Sequence, residues 1–207
     1  MIRAIVAVLG VVALAVPAQA AYDAFLKIEG IPGGATASGH EGWIEVVSFS
    51  MGVTQRVGGL EISPLWVTKG VDKSSPKLFW HAIEQELITG AMIEITEAGG
   101  NVVADYSLEN LLVSSFSGGG SVGETLPLEE VSFNFGKVGY GYNEYDVLGN
   151  RTGRLLVTWD LETGVTSLTT IGVVENFQFI TESLSPEPAT LALLAAGGLG
   201  VLLRRRR

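Results

Sequence analysis

Residues that could carry catalytic or metal chemistry are scarce in this 207-residue sequence. It has no cysteine, which excludes disulfides, thiolate-bound metals and thiol catalysis. Its two histidines, His40 and His81, stand in a polar loop and in a helical segment, and a metal site usually needs several converging ligands. We interpret them as a surface histidine and a helix-face histidine, and we predict no metal and no cofactor.

A glycine-rich segment matches two catalytic patterns. Gly119, Ser121 and Gly123 fit the nucleophile elbow of hydrolases, but that elbow needs a helix after it and a later histidine, and both histidines come earlier. Gly118, Gly120 and Gly123 fit a dinucleotide fingerprint, which also needs a helix to follow. Because the next segment has the pattern of a strand, we interpret the glycines as a loop between strands.

Two pairs of carboxylates, Glu129 with Glu130 and Glu84 with Glu86, are the remaining candidates for catalysis. Such a pair serves as acid and base in glycosidases. Carboxylate pairs are common in a chain with 22 acidic residues, so they identify no site by themselves. The sequon Asn150–Thr152 is interpreted as a chance match. The sequence therefore favours a protein that is not an enzyme.

The charge of the chain is strongly negative once its ends are set aside. Five of the 13 basic residues and one of the 22 acidic residues lie in the terminal segments. Residues 21–185 therefore hold 8 basic against 21 acidic residues, a net charge of −13. A domain of that charge is repelled by phosphate backbones, so nucleic-acid binding is disfavoured.

The first 20 residues are typical of a secretory signal peptide. Arg3 is followed by an apolar run, Ala4–Val16, and Ala18 and Ala20 form a small-x-small cleavage pattern. We predict cleavage after Ala20. The alternative, a permanent N-terminal anchor, is disfavoured because the run is short for a bilayer span.

The C-terminal tail has three parts in a fixed order. Pro186, Glu187 and Pro188 precede an apolar stretch, and the chain ends with Arg204, Arg205, Arg206 and Arg207. The tail resembles the PEP-CTERM sorting signal. The resemblance implies processing near the Pro-Glu-Pro motif by an exosortase, in a Gram-negative bacterium that makes an extracellular polysaccharide matrix.

The apolar stretch of this tail is short for a permanent membrane anchor. As a helix, residues 189–203 would be about 22 Å long, against roughly 30 Å of hydrocarbon core. The arginines would remain cytoplasmic while the acidic domain lies outside. We expect contact with the membrane only through this tail, and a transient one. The alternative is a tail-anchored membrane protein.

The part between the two signals has the pattern of a β protein. Twenty-seven glycines separate segments in which apolar and polar residues alternate, as Val131, Phe133 and Phe135 do with their neighbours. Pro64 suggests an edge or a bulge. The predicted strands are Tyr22–Glu29, Trp43–Met51, Leu60–Thr68, Ala91–Glu97, Val102–Phe116, Leu126–Val138 and Arg154–Leu161.

One amphipathic helix interrupts the strands. A serine cap is followed by Pro76 at the first helical position. Apolar residues then recur at helical spacing, and we predict about three turns that end near Gly90. The recurring residues are Leu78, Phe79, Ala82, Ile83 and Leu87.

Taken in order, several blocks of the sequence resemble the Hcp family, the ring-forming tube protein of type VI secretion. The blocks are Ala24–Ile31, Ile44–Val53, Val71–Leu78, Leu111–Phe116 and Val131–Val138. The resemblance spans Tyr22–Thr163. It implies a mainly β fold, a β-barrel of two sheets with one flanking α-helix, and side-by-side assembly into hexameric rings that can stack.

Two departures from the family pattern shape the predicted domains. The resemblance implies a tube protein without a secretory signal, whereas this sequence has the pattern of one. Its connection Thr54–Gly59 is also shorter than the long glycine-rich loop of the family, which weakens the case for stacking of rings. We predict a signal peptide at 1–20, the barrel at 21–164, an extra strand and tether at 165–185, and the sorting signal at 186–207.

Two functions remain open at this level. The first is an exported structural protein that assembles into rings, at the cell surface or in the polysaccharide matrix. The second is a monomeric barrel that binds glycan or a protein partner, or a homologue of the type VI secretion tube or effector. Exposed aromatic residues would serve the binding function, with Trp66, Tyr140, Tyr142 and Tyr145 as the candidates.

Overall fold

The computed structural model describes residues 22–57, 59–123 and 126–172. The predicted signal peptide, with Ala18 and Ala20, lies outside the described residues. So do residues 173–185 and the sorting tail, with Pro186, Glu187, Pro188 and Arg204 to Arg207. The strand and helix bounds below concern the described part alone.

The described strands build a closed barrel with three further strands on one side. Six antiparallel strands close on themselves in the order β7-β6-β1-β2-β5-β8, because β7 pairs with β8 as well as with β6. Strands β9, β10 and β11 continue the sheet from β7, and we call these three strands the wing. The predicted mainly β barrel with one helix is confirmed. The elements are β1 Asp23–Ile28, β2 Ile44–Ser50, β3 Val53–Arg56, β4 Gly59–Ile62, β5 Leu65–Gly70, α1 Ser75–Glu84, β6 Ile88–Thr96, β7 Val102–Gly119, β8 Leu128–Asn134, β9 Lys137–Tyr145, β10 Arg151–Asp160 and β11 Thr166–Gly172.

The barrel interior holds the core. Leu26, Ile44, Ile93 and Phe133 are among its fully buried side chains. The predicted inward alternation of Val131, Phe133 and Phe135 is confirmed, since all three are buried. The intervening Ser132 is buried too, and its hydroxyl is satisfied by hydrogen bonds with the hydroxyls of Ser114 and Ser115, at 2.7 and 2.6 Å.

The long strand β7 changes its partner halfway along, and this branch creates the wing. On one side, residues 104–109 pair with β9, whereas residues 112–119 pair with β8. Asn110, between the two stretches, has a left-handed backbone with φ of 56°. The backbone N–H of Gly136, in the β8–β9 turn, donates to the carbonyls of Glu109 and Asn110 at 3.0 and 3.2 Å. A Cβ at Gly136 would stand 3.2 Å from that of Asn110, so glycine permits this close approach.

Two predicted strands are divided in the structure. The segment Leu60–Thr68 was predicted as one strand, but it spans β4 and β5 and breaks between Ile62 and Leu65, where Pro64 has no backbone N–H for the ladder. The connection Thr54–Gly59 is not a plain loop, because most of it belongs to the β3–β4 hairpin. Likewise Leu126–Val138 contains β8 and the start of β9, separated by the turn at Gly136.

The predicted helix is present but ends earlier than expected. Pro76 lies in its first turn and Leu78 is fully buried, as the pattern indicates. The helix ends at Glu84, because Gln85 adopts a left-handed backbone with φ of 55°. The buried Ile88 already belongs to β6, so the predicted end near Gly90 is wrong.

Candidate assembly surface

The structure gives the two histidines different partners. The prediction of a surface position for His40 is wrong: its ring is buried and stacks on Phe25 with ring centroids 4.2 Å apart. Its Nε2 is hydrogen-bonded to the Glu94 carboxylate at 2.8 Å. His81 lies on the helix, as predicted. Among the described residues, no three side chains of His, Asp or Glu converge as metal ligands.

The other catalytic patterns do not form sites either. Gly118 and Gly119 end β7, and the next element after the loop is strand β8, so no helix follows the glycines. Glu129 and Glu130 are neighbours on one strand and point to opposite faces, Glu129 buried and Glu130 exposed. Glu84 and Glu86 are exposed and face solvent.

A buried ionic cluster, missed from the sequence, joins β5, β8 and the start of the helix. Lys69 and Glu129 face each other across the two strands, with Nζ and Oε2 2.7 Å apart and side chains 1% and 8% exposed. Lys69 also donates to the Ser75 hydroxyl at 3.0 Å, and Asp72 lies 3.0 Å from the same ammonium. The Ser75 hydroxyl donates to Glu129 at 2.7 Å. Every member is engaged within the cluster, so it fixes the barrel and offers no reactive group.

A second charged network ties the wing to the barrel. Arg154 on β10 donates to both carboxylate oxygens of Asp105 on β7, at 2.7 and 2.9 Å, and to the Asn143 side chain at 2.9 Å. Asp105 and Asn143 are buried. The arginine lies across Gly141, where a Cβ would meet its guanidinium at 2.5 Å. The network therefore holds β7, β9 and β10 in one sheet.

The opposite face of the wing is apolar and open. It continues the inner face of the barrel, because directly paired residues share a face: Tyr106 on β7 lies opposite Tyr140, Tyr140 opposite Val157, and Val157 opposite Leu168. The Tyr106 and Tyr140 rings stack with centroids 4.6 Å apart. Partial burial, and then the neighbouring Tyr140 phenol, raise the pKa of Tyr106 above its ordinary value. Outward from β7 the row becomes exposed, with Tyr140, Val157 and Leu168 at 45%, 37% and 45%.

A groove runs between this face and the β3–β4 hairpin. Its volume is about 240 Å³, and no charged side chain lines it. Its hairpin wall includes the exposed Val53 and Leu60, and its wing wall includes Tyr140 and Val157. The groove and the exposed apolar row beside it form one surface, which we call the wing surface.

The helix presents a second apolar surface. Its inner side is anchored by Leu78, while Phe79, Trp80, Ile83 and the following Leu87 are 54%, 46%, 61% and 57% exposed. The Phe79 ring packs edge-to-face on Phe116 of β7 with centroids 5.5 Å apart. We call these four exposed residues the helix ridge. Exposed apolar residues grouped in this way are typical of surfaces that bind another macromolecule.

The aromatic residues predicted to bind glycan are only partly brought together. Tyr140 and Tyr142 are alternate residues of β9 on the open wing face, both exposed. The Tyr145 hydroxyl instead donates to the carbonyl of Val102 at 3.0 Å. Trp66 lies on β5, where its strand partners are Ser50 and Ser132 of the barrel wall.

Comparisons of the sequence and of the structure with known proteins both find Hcp proteins. The family described as "Type VI secretion system effector, Hcp" matches residues 25–142, and the PEP-CTERM protein-sorting motif matches residues 186–207. Protein hcp1 of Pseudomonas aeruginosa is 32% identical over 146 residues, which cover 64% of this chain and 90% of that protein. The crystal structure of Hcp1 from Salmonella typhimurium has a TM-score of 0.64 at 26% identity, covering 72% of this chain and 100% of that one. The structure of a type six secretion system protein has a TM-score of 0.65 at 28% identity, covering 71% of this chain and 100% of that one.

Proposed function

The chain belongs to the Hcp family and carries a PEP-CTERM sorting motif, and from this we propose that it is an exported, non-enzymatic structural protein that assembles with copies of itself. The proposed assembly is a ring, hexameric by resemblance to the family. Its proposed place is the cell surface or the extracellular polysaccharide matrix.

The observation that carries the proposal is the open apolar face of the wing. The inner face of a barrel is ordinarily covered by the opposite wall, but the wing lies outside the closed barrel, and the described element that faces it across the groove is the small β3–β4 hairpin. Tyr140, Tyr142, Val157 and Leu168 therefore remain exposed in a single copy. Covering them with a second copy removes this apolar area from water, which favours association.

A structural function also agrees with how the polar side chains are used. In the described chain, Lys69, Glu129 and Ser75 would be the best candidates for nucleophilic or acid–base chemistry, but they are hydrogen-bonded to one another in the core. Arg154 and Asp105 are likewise hydrogen-bonded to each other between barrel and wing. These groups supply rigidity, which a repeating subunit of an assembly needs.

Export is proposed from the two ends of the chain. The sorting motif at residues 186–207 supports recognition by an exosortase, and the predicted signal peptide with Ala18 and Ala20 would deliver the chain across the inner membrane. Within the described residues, no helix has the length and apolar character needed to cross a bilayer. In this proposal the tail, with Pro186 to Pro188 and Arg204 to Arg207, anchors the protein transiently until it is processed.

The proposal is tested by the mass of the protein in solution. Segment 21–185 contains every described strand, and light scattering over a concentration series should give a mass of about six subunits. Val157→Glu places a charge on the open wing face and should lower the mass towards that of a monomer. Thr169→Glu, on the opposite face of the same sheet, is the matched control. A monomer at all concentrations would refute self-assembly.

One observation supports a second function. Tyr140 and Tyr142 expose two aromatic rings on one face, an arrangement that can stack on sugars. If segment 21–185 is a monomer and binds exopolysaccharide, with binding lost in Tyr140→Ala, the glycan-binding function replaces the structural one.

A further inference from the structure

The outward positions of four neighbouring barrel strands, β2, β5, β8 and β7, hold small hydroxyl side chains around one tryptophan. Leu65 and Val67 of β5 are buried, so the alternate residues Trp66 and Thr68 point outward. The registers between these strands extend the two positions into two rows, because directly paired residues share a face. The first row is Ser50, Trp66, Ser132 and Ser115, and the second is Ser48, Thr68, Glu130 and Ser117. We call these eight residues the serine face.

The serine face is open to solvent around its tryptophan and internally braced on its β7 side. Trp66 is 38% exposed, and Ser48 and Ser50 are exposed beside it. Ser132 is buried, and its hydroxyl is hydrogen-bonded to that of Ser115 at 2.6 Å. With strands about 4.8 Å apart and outward residues about 7 Å apart along each strand, the two rows cover roughly 14 by 7 Å.

A cleft of about 350 Å³ borders the second row. On β7 it is lined by Gly118 and Gly119, and a Cβ at Gly119 would meet no atom within 4 Å, so this side of the cleft is open space. Thr68 is the next outward residue after Trp66, so the indole and the cleft lie side by side. Three members of the serine face line the cleft: Thr68, Ser117 and Glu130.

A sugar ring matches this arrangement chemically. The face of an indole is the negative side of its quadrupole, and the C–H bonds on one side of a pyranose ring present weakly positive hydrogens to it. The hydroxyls around the sugar can then exchange hydrogen bonds with the serine and threonine hydroxyls, since each of these is both a donor and an acceptor. The exposed Glu130 carboxylate accepts further hydrogen bonds from sugar hydroxyls.

Other classes of partner fit the serine face less well. None of its eight side chains is basic, so it has no group that neutralises a phosphate. The hot spot of a protein interface is a residue enclosed by contacts that exclude water, whereas the cross-strand neighbours of Trp66 are Ser50 and Ser132. Glu130 is the only charged member, and residues 21–185 carry a net charge of −13, which disfavours an acidic polysaccharide. The composition of the face therefore favours a neutral ligand rich in hydroxyls.

We infer that the serine face binds a neutral polysaccharide, with the Trp66 indole stacked on a sugar ring and the surrounding hydroxyls and Glu130 hydrogen-bonded to the sugar. This inference rests on the proposed location in the polysaccharide matrix and gives the exported protein a partner there. It uses a different part of the fold from Tyr140 and Tyr142, so the wing remains free for assembly.

Affinity electrophoresis in native gels tests the binding with defined probes. Segment 21–185 contains every described element, and it is run through gels that contain laminarin, dextran, galactomannan or alginate. Retardation is expected from at least one of the three neutral polysaccharides and not from alginate, because the carboxylates of alginate are repelled by the acidic chain. No retardation by any neutral polysaccharide, or retardation by alginate alone, would overturn the inference.

Two variants locate the site. Trp66→Ala should raise the dissociation constant for the retarding polysaccharide about tenfold, because the stacked ring supplies the largest single contact. Ser50→Arg, which adds bulk beside the indole at an exposed position, should weaken binding as well. Tyr140→Ala is the matched control, since it removes an exposed aromatic ring from the wing and should leave the constant unchanged. Loss of binding in Tyr140→Ala but in neither other variant would overturn the inference, and circular dichroism checks that each variant is folded.

Light scattering on the same samples separates this inference from the proposed assembly. Trp66→Ala should keep the mass of the unchanged segment. A fall to the mass of a monomer in Trp66→Ala alone would make the serine face a contact between copies, and would overturn the inference. If the unchanged segment is a monomer and still binds a neutral polysaccharide through Trp66, the proposed assembly fails and the inference holds.

Discussion

Replacing the buried Lys69 of the barrel should lower the free energy of unfolding. In Lys69→Met, the ammonium that contacts Glu129, Ser75 and Asp72 is lost, while the apolar stem keeps its length. Glu129 then remains in the core, 8% exposed, with the Ser75 hydroxyl as its remaining donor in the cluster. Removing one partner of a buried pair costs about 3 to 5 kcal/mol, because the other charge stays unpaired.

That cost is large against the total stability of a domain. Typical free energies of unfolding are about 5–15 kcal/mol. For a domain in the lower part of this range, Lys69→Met would remove about a third or more of the free energy of unfolding. For a domain of this size, each kcal/mol lowers the thermal midpoint by about 2–4 °C, which predicts a fall of roughly 6–20 °C. Urea unfolding at neutral pH measures the free energy, and an unchanged slope confirms that the same surface is exposed.

The double variant Lys69→Met with Glu129→Met separates the pair from its two members. An apolar replacement of a buried ion pair is often neutral, so the double variant should recover most of the stability that either single change loses. Lys137→Met is the matched control, because Lys137 makes longer contacts of 3.6 and 3.5 Å at the exposed surface and should leave the midpoint unchanged. A loss below about 1 kcal/mol in Lys69→Met, or no recovery in the double variant, would refute the reasoning.

Three further predictions concern Arg154, Asn110 and Asp72. Arg154→Met leaves the buried Asp105 carboxylate without its bidentate partner, so urea unfolding should show a loss of about 3 kcal/mol. Asn110→Val should cost about 1–2 kcal/mol in the same assay, and Asn110→Gly should not, because valine resists the left-handed backbone at this position. Burial of Asp72 raises the pKa of its carboxyl, but its hydrogen bonds with Ser74 and Lys69 and the lysine charge outweigh this, so the pKa lies below its ordinary value. A lowered pKa stabilises the fold above the unfolded value near 4, and this stability is lost as pH falls through the folded value, so Asp72→Asn should flatten the fall of the urea midpoint below pH 4.

Most barrel strands and the helix of the described part could be predicted as elements, because each depends on a local pattern. Alternation in Val131–Phe135 and the proline-led start of the helix are properties of neighbouring residues. The end of the helix was not predictable from the same pattern. Leu87 continues the helical spacing, but the pairing of Ile88 with Leu111 draws the chain into a strand, and this is a long-range contact.

The buried polar residues show where local patterns fail. His40 stands between polar neighbours, which predicts exposure, yet the loop that holds it folds over Phe25. Lys69 could have been found, because Leu65, Val67 and Lys69 are alternate residues and two of them are plainly apolar. Placing a lysine on a buried face requires an opposite charge at a facing position, and Glu129 occupies the same face as Val131 and Phe133 on the partner strand. Pairing of strands, and not the pattern of one strand, contains this information.

The branch in β7 connects the fold to the proposed assembly. After Asn110, residues 112–119 of β7 pair with β8 and close the barrel. Before Asn110, residues 104–109 pair with β9 along the same edge. Because β9 takes the place that β8 would occupy, the apolar face of β7 continues onto strands outside the closed barrel, where Tyr140, Val157 and Leu168 are exposed. One left-handed residue and one glycine of the β8–β9 turn lie at the point where the strand changes its partner and this face leaves the barrel. A subunit with this branch closes its own barrel, and its described residues include an apolar face that the proposed assembly would cover.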